Sequence, residues 1–116
     1  MGDCIFCKII SGDLPSTKIY EDKLVLAFKD INPQMPVHII LVPKIHIESI
    51  LNLTEETTSI AGYMQLMIKK IALQEGLDKN GFRVISNCGK DAGQTVPHLH
   101  YHILAGKNMG EKLFEI

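Results

Sequence analysis

Three histidines, His98, His100 and His102, alternate with apolar residues near the end of the chain. Successive side chains of a β-strand point to opposite faces of its sheet. If residues His98–Ala105 form a strand, the three imidazoles lie on one face, about 7 Å apart, and the apolar side chains between them face a core. Packing alone does not explain three imidazoles on one face, so this segment predicts both a strand and a functional site.

The rest of the pattern predicts one long helix and four further strands. The helix is expected from Thr54 to Glu75, with Thr54 as its N-cap and Gly76 as its C-cap, and its apolar stripe comprises Ile60, Met64, Met67, Ile68 and Ile71. A short helix or turn is expected at Cys4–Ser11, and a short helical turn at Ile45–Leu51. The other strands are expected at Lys18–Glu21, Lys23–Lys29, Val37–Val42 and Phe82–Ser86. Because short turns join the strands, we expect one antiparallel α+β domain over residues 1–116.

The charge balance excludes some classes of partner. The chain of 116 residues has a formal net charge of -1 and no basic run, which argues against a general nucleic-acid binder. Its longest apolar run, around Ile39–Val42, is too short to span a membrane. The polar start does not have the pattern of a signal peptide. We therefore expect a cytoplasmic protein in which the three cysteines are reduced.

Two chemical interpretations of the three histidines are open. In the first they bind a metal ion, because imidazole is a common metal ligand, although three ligands from one flat strand rarely converge. In the second one neutral imidazole attacks a phosphorus atom while its neighbours hold the phosphate oxygens. The preceding loop Gly89–Thr95 suits the second interpretation, since glycine lets the backbone approach an anion and Thr95 adds a hydroxyl.

The pair Cys4 and Cys7 is a second candidate site, because it has the spacing of half a zinc site. Its other ligands would have to come from distant parts of the chain, since no second close pair is present. Two buried thiols and a redox pair are the alternatives. Cys88 is expected to be an ordinary buried thiol.

The motif His-φ-His-φ-His-φ-φ, with φ apolar, fits residues His98–Leu104 and resembles the histidine triad (HIT) family. Other segments resemble that family in the same order: Phe28–Gln34, Val37–Lys44 with His46, and Val84–Asn87. The likeness points to the Hint branch, which contains purine nucleoside phosphoramidases and related nucleotide hydrolases. It implies an antiparallel five-stranded sheet with one long and one short helix, and a homodimer that joins two such sheets.

The resemblance also implies a mechanism. His100 would attack the α-phosphorus of a nucleoside phosphoramidate, and water would then release the monophosphate from a nucleotidyl-His100 intermediate. The carbonyl of His98 would set the tautomer of His100. The remaining catalytic positions would be His38, Asn87, Thr95 and His102. Many Hint members have serine at the Thr95 position, so the leaving-group preference is open.

The implied ligand is a purine nucleotide of the AMP type. Asp30 would accept hydrogen bonds from the ribose hydroxyls, and Gly93 and Gln94 would position the phosphate. An apolar slot for the base would be formed by Ile5, Phe6, Ile9, Phe28 and Ile31. Without the resemblance, these five residues predict core packing and Asp30 predicts a turn.

For the cysteine pair, the resemblance implies a structural Zn²⁺ site formed by Cys4, Cys7, His46 and His98, while catalysis needs no cofactor. The tail Gly106–Ile116 departs from the better-known Hint ending. Three other functions stay open: a dinucleoside polyphosphate hydrolase, a purine-nucleotide-binding regulatory module, and a metal-dependent hydrolase that uses all three histidines.

Overall fold

Five antiparallel strands form one sheet that lies between two helices of unequal length. A computed structural model describes residues 4–114. In chain order the elements are α1 (Ile5–Ser11), β1 (Lys18–Glu21), β2 (Val25–Lys29), β3 (Val37–Pro43), α2 (Thr58–Gln74), β4 (Arg83–Ile85) and β5 (Tyr101–Ala105). The sheet order is β1-β2-β3-β5-β4, which confirms the predicted fold class. The predicted domain also includes residues 1–3 and 115–116, and the predicted tail includes residues 115–116. These residues lie outside the described ones.

The two central strands are buried on both faces, which explains their nearly continuous apolar sequences. Four of the five residues of β2, and all residues of β3 after Val37, are buried. One face packs against α2 through Ile39, Leu41, Met64, Ile71 and Ile103, among others. The other face packs against α1 through Phe6, Leu26, Phe28, Ile40 and Val42. Within residues 4–114, no helix combines the length and the hydropathy that crossing a membrane requires.

The long helix agrees with the predicted stripe but differs at both ends. Four of the five stripe residues are buried and Ile60 is partly buried. A 3₁₀ turn at Glu55–Thr57 precedes the α-helix, since the N–H of Thr57 donates to the carbonyl of Thr54 at 3.0 Å, and the hydroxyl of Thr57 caps the N–H of Thr54 at 2.9 Å. At the other end Glu75, rather than Gly76, is the C-cap.

The expectation of a helical turn over Ile45–Leu51 was wrong for most of that segment. Only Ile50–Asn52 forms a 3₁₀ turn, after Ser49, whose hydroxyl accepts the N–H of Leu51. The residues before it are irregular because the carbonyl of Ile47 accepts the N–H of Leu99 at 2.6 Å. A tertiary hydrogen bond therefore replaces the local helical one.

The histidine segment was also predicted too long, since β5 begins at Tyr101 and not at His98. The N–H groups of His98 and Leu99 donate to loop carbonyls, at Val96 and Ile47. The carbonyl of His100 accepts the hydroxyl of Ser86 at 2.9 Å. The alternation of faces nevertheless holds, because Leu99 packs on the α2 side while the ring of His100 meets Phe6 of α1.

One carboxylate joins the β1–β2 turn to α2. Asp22 accepts the N–H groups of Leu24 and Val25 at 2.8 and 2.9 Å, so β2 begins later than predicted. It also accepts the hydroxyls of Tyr20, at 2.8 Å, and of Tyr63 on α2. Burial raises the pKa of Asp22, but these hydrogen bonds lower it by more, to about 2.

We predict that Asp22→Asn lowers the free energy of unfolding by about 1–3 kcal/mol, because hydrogen bonds to a charged acceptor are lost. The pKa of Asp22 is below its ordinary value of 3.8. The contribution of Asp22 to the free energy of unfolding is therefore complete above that value and is lost as pH falls from about 4 to about 2. Urea unfolding at several pH values measures this, with the exposed Asp78→Asn as control. A variant as stable as wild type at pH 7 would contradict the prediction.

Candidate active site and metal site

Two cysteines and two histidines from distant parts of the chain converge at the N-terminal end of α1. Cys4 is the N-cap of that helix, and Cys7 lies in its first turn. The Sγ of Cys7 lies 3.2 Å from Nδ1 of His46 and 3.6 Å from Nδ1 of His98. The Sγ of Cys4 lies 3.4 Å from the same His98 nitrogen. All four candidate ligand atoms lie within 4.8 Å of one another.

These distances suit a tetrahedral zinc ion. With Zn–S near 2.3 Å and Zn–N near 2.05 Å, the sulfur–nitrogen edges of a tetrahedron are about 3.5 Å long. His98 is fully buried, and its Nε2 donates to the carbonyl of Pro43 at 2.9 Å. A carbonyl only accepts, so Nε2 carries the proton and Nδ1 presents its lone pair to the sulfurs. This is the outer hydrogen bond that zinc-bound histidines ordinarily make.

His100 has one free ring nitrogen, and its environment keeps the ring neutral. Its Nδ1 donates to the carbonyl of His98 at 2.7 Å, which leaves Nε2 with an unshared lone pair. Burial lowers its pKa, against smaller upward effects of the His98 carbonyl and Asp30. The ring of Phe6 meets it edge-on at 4.9 Å between centroids. A neutral, oriented imidazole of this kind is a good nucleophile at pH 7.

His102 is paired with His38 on the neighbouring strand. Their Nδ1 and Nε2 atoms lie 2.8 Å apart. The Nδ1 of His38 accepts the N–H of Gln34 at 3.0 Å, so the proton of His38 is on Nε2 and points to His102. The other nitrogen of His102 then carries a proton that can be donated to an anion. Burial is the main cause that lowers both pKa values, that of His102 to about 4.

Asp30 lies beside the pair formed by His38 and His102. One carboxylate oxygen lies 3.4 Å from Nε2 of His38, and the other accepts the N–H of Asn32 at 2.7 Å. Asp30, His38 and His102 also bring their ligand atoms within 4.8 Å of one another. The 2.8 Å between the two imidazole nitrogens is, however, the length of a hydrogen bond and is shorter than two ligands of one tetrahedral ion allow.

The three histidines of the motif thus have three different sets of partners. His98 faces the cysteines, His100 faces a backbone carbonyl and His102 faces another histidine. They share a face, as predicted, but do not converge on one point. The interpretation with one nucleophile therefore suits the geometry better than one metal ion bound by all three.

The loop before the motif is closed on itself by hydrogen bonds. Gly89 and Gly93 have φ values of +87° and +81°, which glycine adopts without strain, and a 3₁₀ turn lies between them. The N–H groups of Gly93 and Gln94 donate to carbonyls within the loop. In contrast, the side chains of Asn87 and Thr95 have no hydrogen-bond partner within residues 4–114, and Thr95 is exposed.

The five apolar residues that were expected to surround the base divide into a buried group and an exposed group. Phe6 and Phe28 are buried and pack edge-to-face, 5.7 Å apart, and Ile9 packs against the same cluster. Ile5 and Ile31 are instead 47% and 90% exposed. Exposed apolar side chains suit contact with a ligand, whereas the buried cluster packs beneath the site, where Phe6 contacts the ring of His100.

Several groups that hold the site were not predicted. Ser86 donates its hydroxyl to the carbonyl of His100, and backbone atoms of Gln34 and Pro43 orient two of the histidines. No local sequence signal marks Gln34 and Pro43, because their backbone groups do not depend on residue type, and the hydroxyl of Ser86 has no distinguishing pattern around it. Cys88 is half-buried and lies outside the cysteine–histidine group.

A protein-family model described as the HIT domain matches residues 11–109. A purine nucleoside phosphoramidase of Escherichia coli (strain K12) is 41% identical over 111 residues, which are 96% of this chain and 93% of that protein. A 14 kDa zinc-binding protein of Brassica juncea is 46% identical over 109 residues, or 92% of this chain and 96% of that one. A solved histidine triad protein from Clostridium difficile superposes with a TM-score of 0.93 at 52% identity, covering 97% of this chain and 98% of that chain. The sheet, the site and these likenesses agree that the chain belongs to the HIT domain family.

Proposed function

We propose that the protein is a purine nucleoside phosphoramidase that acts through a covalent nucleotidyl-His100. The observation that carries this proposal is the 2.7 Å hydrogen bond from Nδ1 of His100 to the His98 carbonyl, which leaves Nε2 free to attack. The E. coli relative named for this activity supports the same conclusion.

In the proposed reaction, Nε2 of His100 forms a bond to the α-phosphorus, and the phosphorus–nitrogen bond to the leaving amine breaks. The amine departs with a proton, for which the Thr95 hydroxyl is the proposed donor, and the water that attacks in the second step returns a proton to the Thr95 oxygen. His100 then carries positive charge, which the His98 carbonyl stabilises through Nδ1–H. Water attacks the same phosphorus, and the nucleoside monophosphate leaves with His100 restored. Two such steps through a covalent intermediate are easier than one direct displacement.

The surrounding groups have proposed roles in binding. The proton on His102 is donated to a phosphate oxygen, and His38 holds His102 in that tautomer. Asn87 and Thr95, whose side chains have no hydrogen-bond partner among the described residues, are proposed to bind phosphate, and Gly93 allows its close approach. Asp30 is proposed to bind the ribose hydroxyls. The base is proposed to lie against the apolar group of Ile5, Phe6, Ile9, Phe28 and Ile31.

We further propose that Cys4, Cys7, His46 and His98 bind one structural zinc ion. The ligand distances and the tautomer of His98 fit zinc, and a relative is named as a zinc-binding protein. With all four positions filled by protein, a bound zinc would crosslink α1 to the catalytic segment and would leave no open position for substrate.

A homodimer is proposed through β4 and α2. The outer edge of β4 is unpaired, and its Val84 is 36% exposed. The opposite edge strand β1 is irregular in register and carries a Lys18–Glu21 ion pair, which are features that discourage edge pairing. On α2, Leu66 and Leu73 are exposed by 61% and 54%, and their spacing of seven places them on one helix face.

We predict that His100→Ala lowers hydrolysis of an adenosine phosphoramidate by roughly a thousandfold or more, since the nucleophile is removed. His102→Ala should slow the release of the nucleotide and let an adenylyl adduct accumulate. Intact mass after mixing with substrate detects the adduct, with His100→Ala as control. If neither variant carries an adduct while wild type turns over, a metal-activated water becomes the better explanation. If wild type binds nucleotide without hydrolysis, the protein is a regulatory module.

We predict that purified protein contains roughly one zinc ion per chain. Cys7→Ser should lose zinc and melt at lower temperature, because α1 is no longer crosslinked to the sheet, whereas Cys88→Ser should keep both properties. Elemental analysis and thermal melting measure these outcomes. Chelation that leaves the fold intact should leave hydrolysis unchanged. Loss of hydrolysis under that condition would favour the metal-dependent mechanism.

We predict that Leu66→Glu turns a dimer into a monomer, because the new charge would be buried against the partner helix. Light scattering coupled to size exclusion gives the mass of each variant. Leu24→Glu, at an exposed position beside β1, is the matched control and should stay dimeric. A wild-type protein that is monomeric at micromolar concentration would refute this assembly.

A further inference from the structure

Every hydrogen-bond donor that Gln94 offers for a phosphate is used inside the protein. Its side-chain oxygen accepts the N–H of Gly89 at 2.9 Å. Its side-chain nitrogen donates to the carbonyls of Glu48 and Val96, at 2.7 and 3.0 Å. Its own backbone N–H donates to the carbonyl of Gly89 at 3.1 Å. No donor of Gln94 remains for a phosphate.

The orientation of the amide is set by these partners. The nitrogen faces two carbonyls, which only accept, and the oxygen faces an N–H, which only donates. Rotation of the amide by 180° would place an oxygen against two carbonyls and an NH₂ group against an N–H. The side chain is therefore fixed by its surroundings and does not exchange between the loop and a ligand without cost.

The three hydrogen bonds of the Gln94 side chain join both ends of the loop to the segment that contains Glu48. Gly89 begins the loop and Val96 ends it, so one amide closes the loop across its base. Glu48 lies two residues after His46, a proposed zinc ligand. Beside it, the carbonyl of Ile47 accepts the N–H of Leu99. The segment that carries His46 is thus bonded to the loop through Glu48 and to the histidine motif through Ile47.

We propose that Gln94 is a positioning residue that closes the Gly89–Val96 loop and thereby places the hydroxyl of Thr95, and that it does not bind substrate itself. This inference rests on the proposed function, because Thr95 is assigned there to the phosphate and the leaving group. We call the three hydrogen bonds of the Gln94 side chain the clamp. Thr95 lies between Gln94 and Val96, which one of these bonds joins. Its side chain is exposed and has no other partner within the described residues to hold it.

Hydrogen exchange in the substrate-free protein tests the clamp. Gln94→Met keeps the length of the side chain but removes its acceptor and both donors, so the Gly89 and Gln94 amides should exchange roughly tenfold faster or more. Gln94→Glu keeps the size and the acceptor but sets a carboxylate oxygen against two carbonyls, and it should also open the loop. The exposed Gln65→Met on α2 is the matched control and should leave both amides unchanged.

A double-mutant cycle tests the positioning role. Thr95→Val should lower kcat by about tenfold in the wild-type background and by much less in the Gln94→Met background, because an open loop no longer places the hydroxyl. The effect of Gln94→Met should fall mainly on kcat, about 10–100-fold, with a smaller change in KM. A merely structural Gln94 would give additive effects.

Two results would overturn the inference. The first is unchanged exchange at Gly89 and Gln94 in both variants together with reduced activity, which would make Gln94 a substrate ligand. The second is additivity of the Gln94 and Thr95 substitutions, or a Thr95→Val variant as active as wild type. Should Gln94→Met fail to fold, Gln94→Glu supports the same measurements. Because exchange is read without substrate, a wild type that hydrolyses no phosphoramidate would refute the proposed function and leave the clamp standing.

Discussion

His98 is the residue on which the arrangement of the site depends. It is fully buried, and three of its polar atoms have different tasks. Nε2 donates to the carbonyl of Pro43, Nδ1 faces the cysteine pair, and its backbone carbonyl accepts Nδ1–H of His100. Displacing this residue would disturb both the proposed zinc ligands and the tautomer of the proposed nucleophile. Neither effect requires His98 to touch a substrate.

The sheet separates packing from chemistry by its two faces. One face is covered by α2, and its buried residues are apolar. The other carries the histidines and is covered in part by α1, a helix of seven residues that is too short to be stable alone. Phe6 anchors α1 on Phe28 and His100. The short helix thus gains order from the same cysteine–histidine group that it helps to form.

Much of the fold could be predicted because local patterns agree with the tertiary structure. The continuous apolar run of β3 and the stripe of α2 reflect burial on a sheet face and on a helix face. Two of the failures, at Ile45–Leu51 and at His98–His100, have one cause. The carbonyl of Ile47 bonds to the N–H of Leu99, so neither segment completes its own regular hydrogen bonds. A contact between residues that far apart leaves no periodic signal.

The candidate site divides in the same way. Which residue types share a face could be predicted from the sequence, because alternation along an extended chain is a local property. The sequence also supplied the cysteine spacing and the loop chemistry. Only the tertiary structure decided the partner of each imidazole, since those partners lie 94 residues away for Cys4 and His98, and 64 for His38 and His102. The position of a proton on a histidine ring depends on the acceptor or donor that the fold brings to it, and distant backbone atoms supply several of these groups.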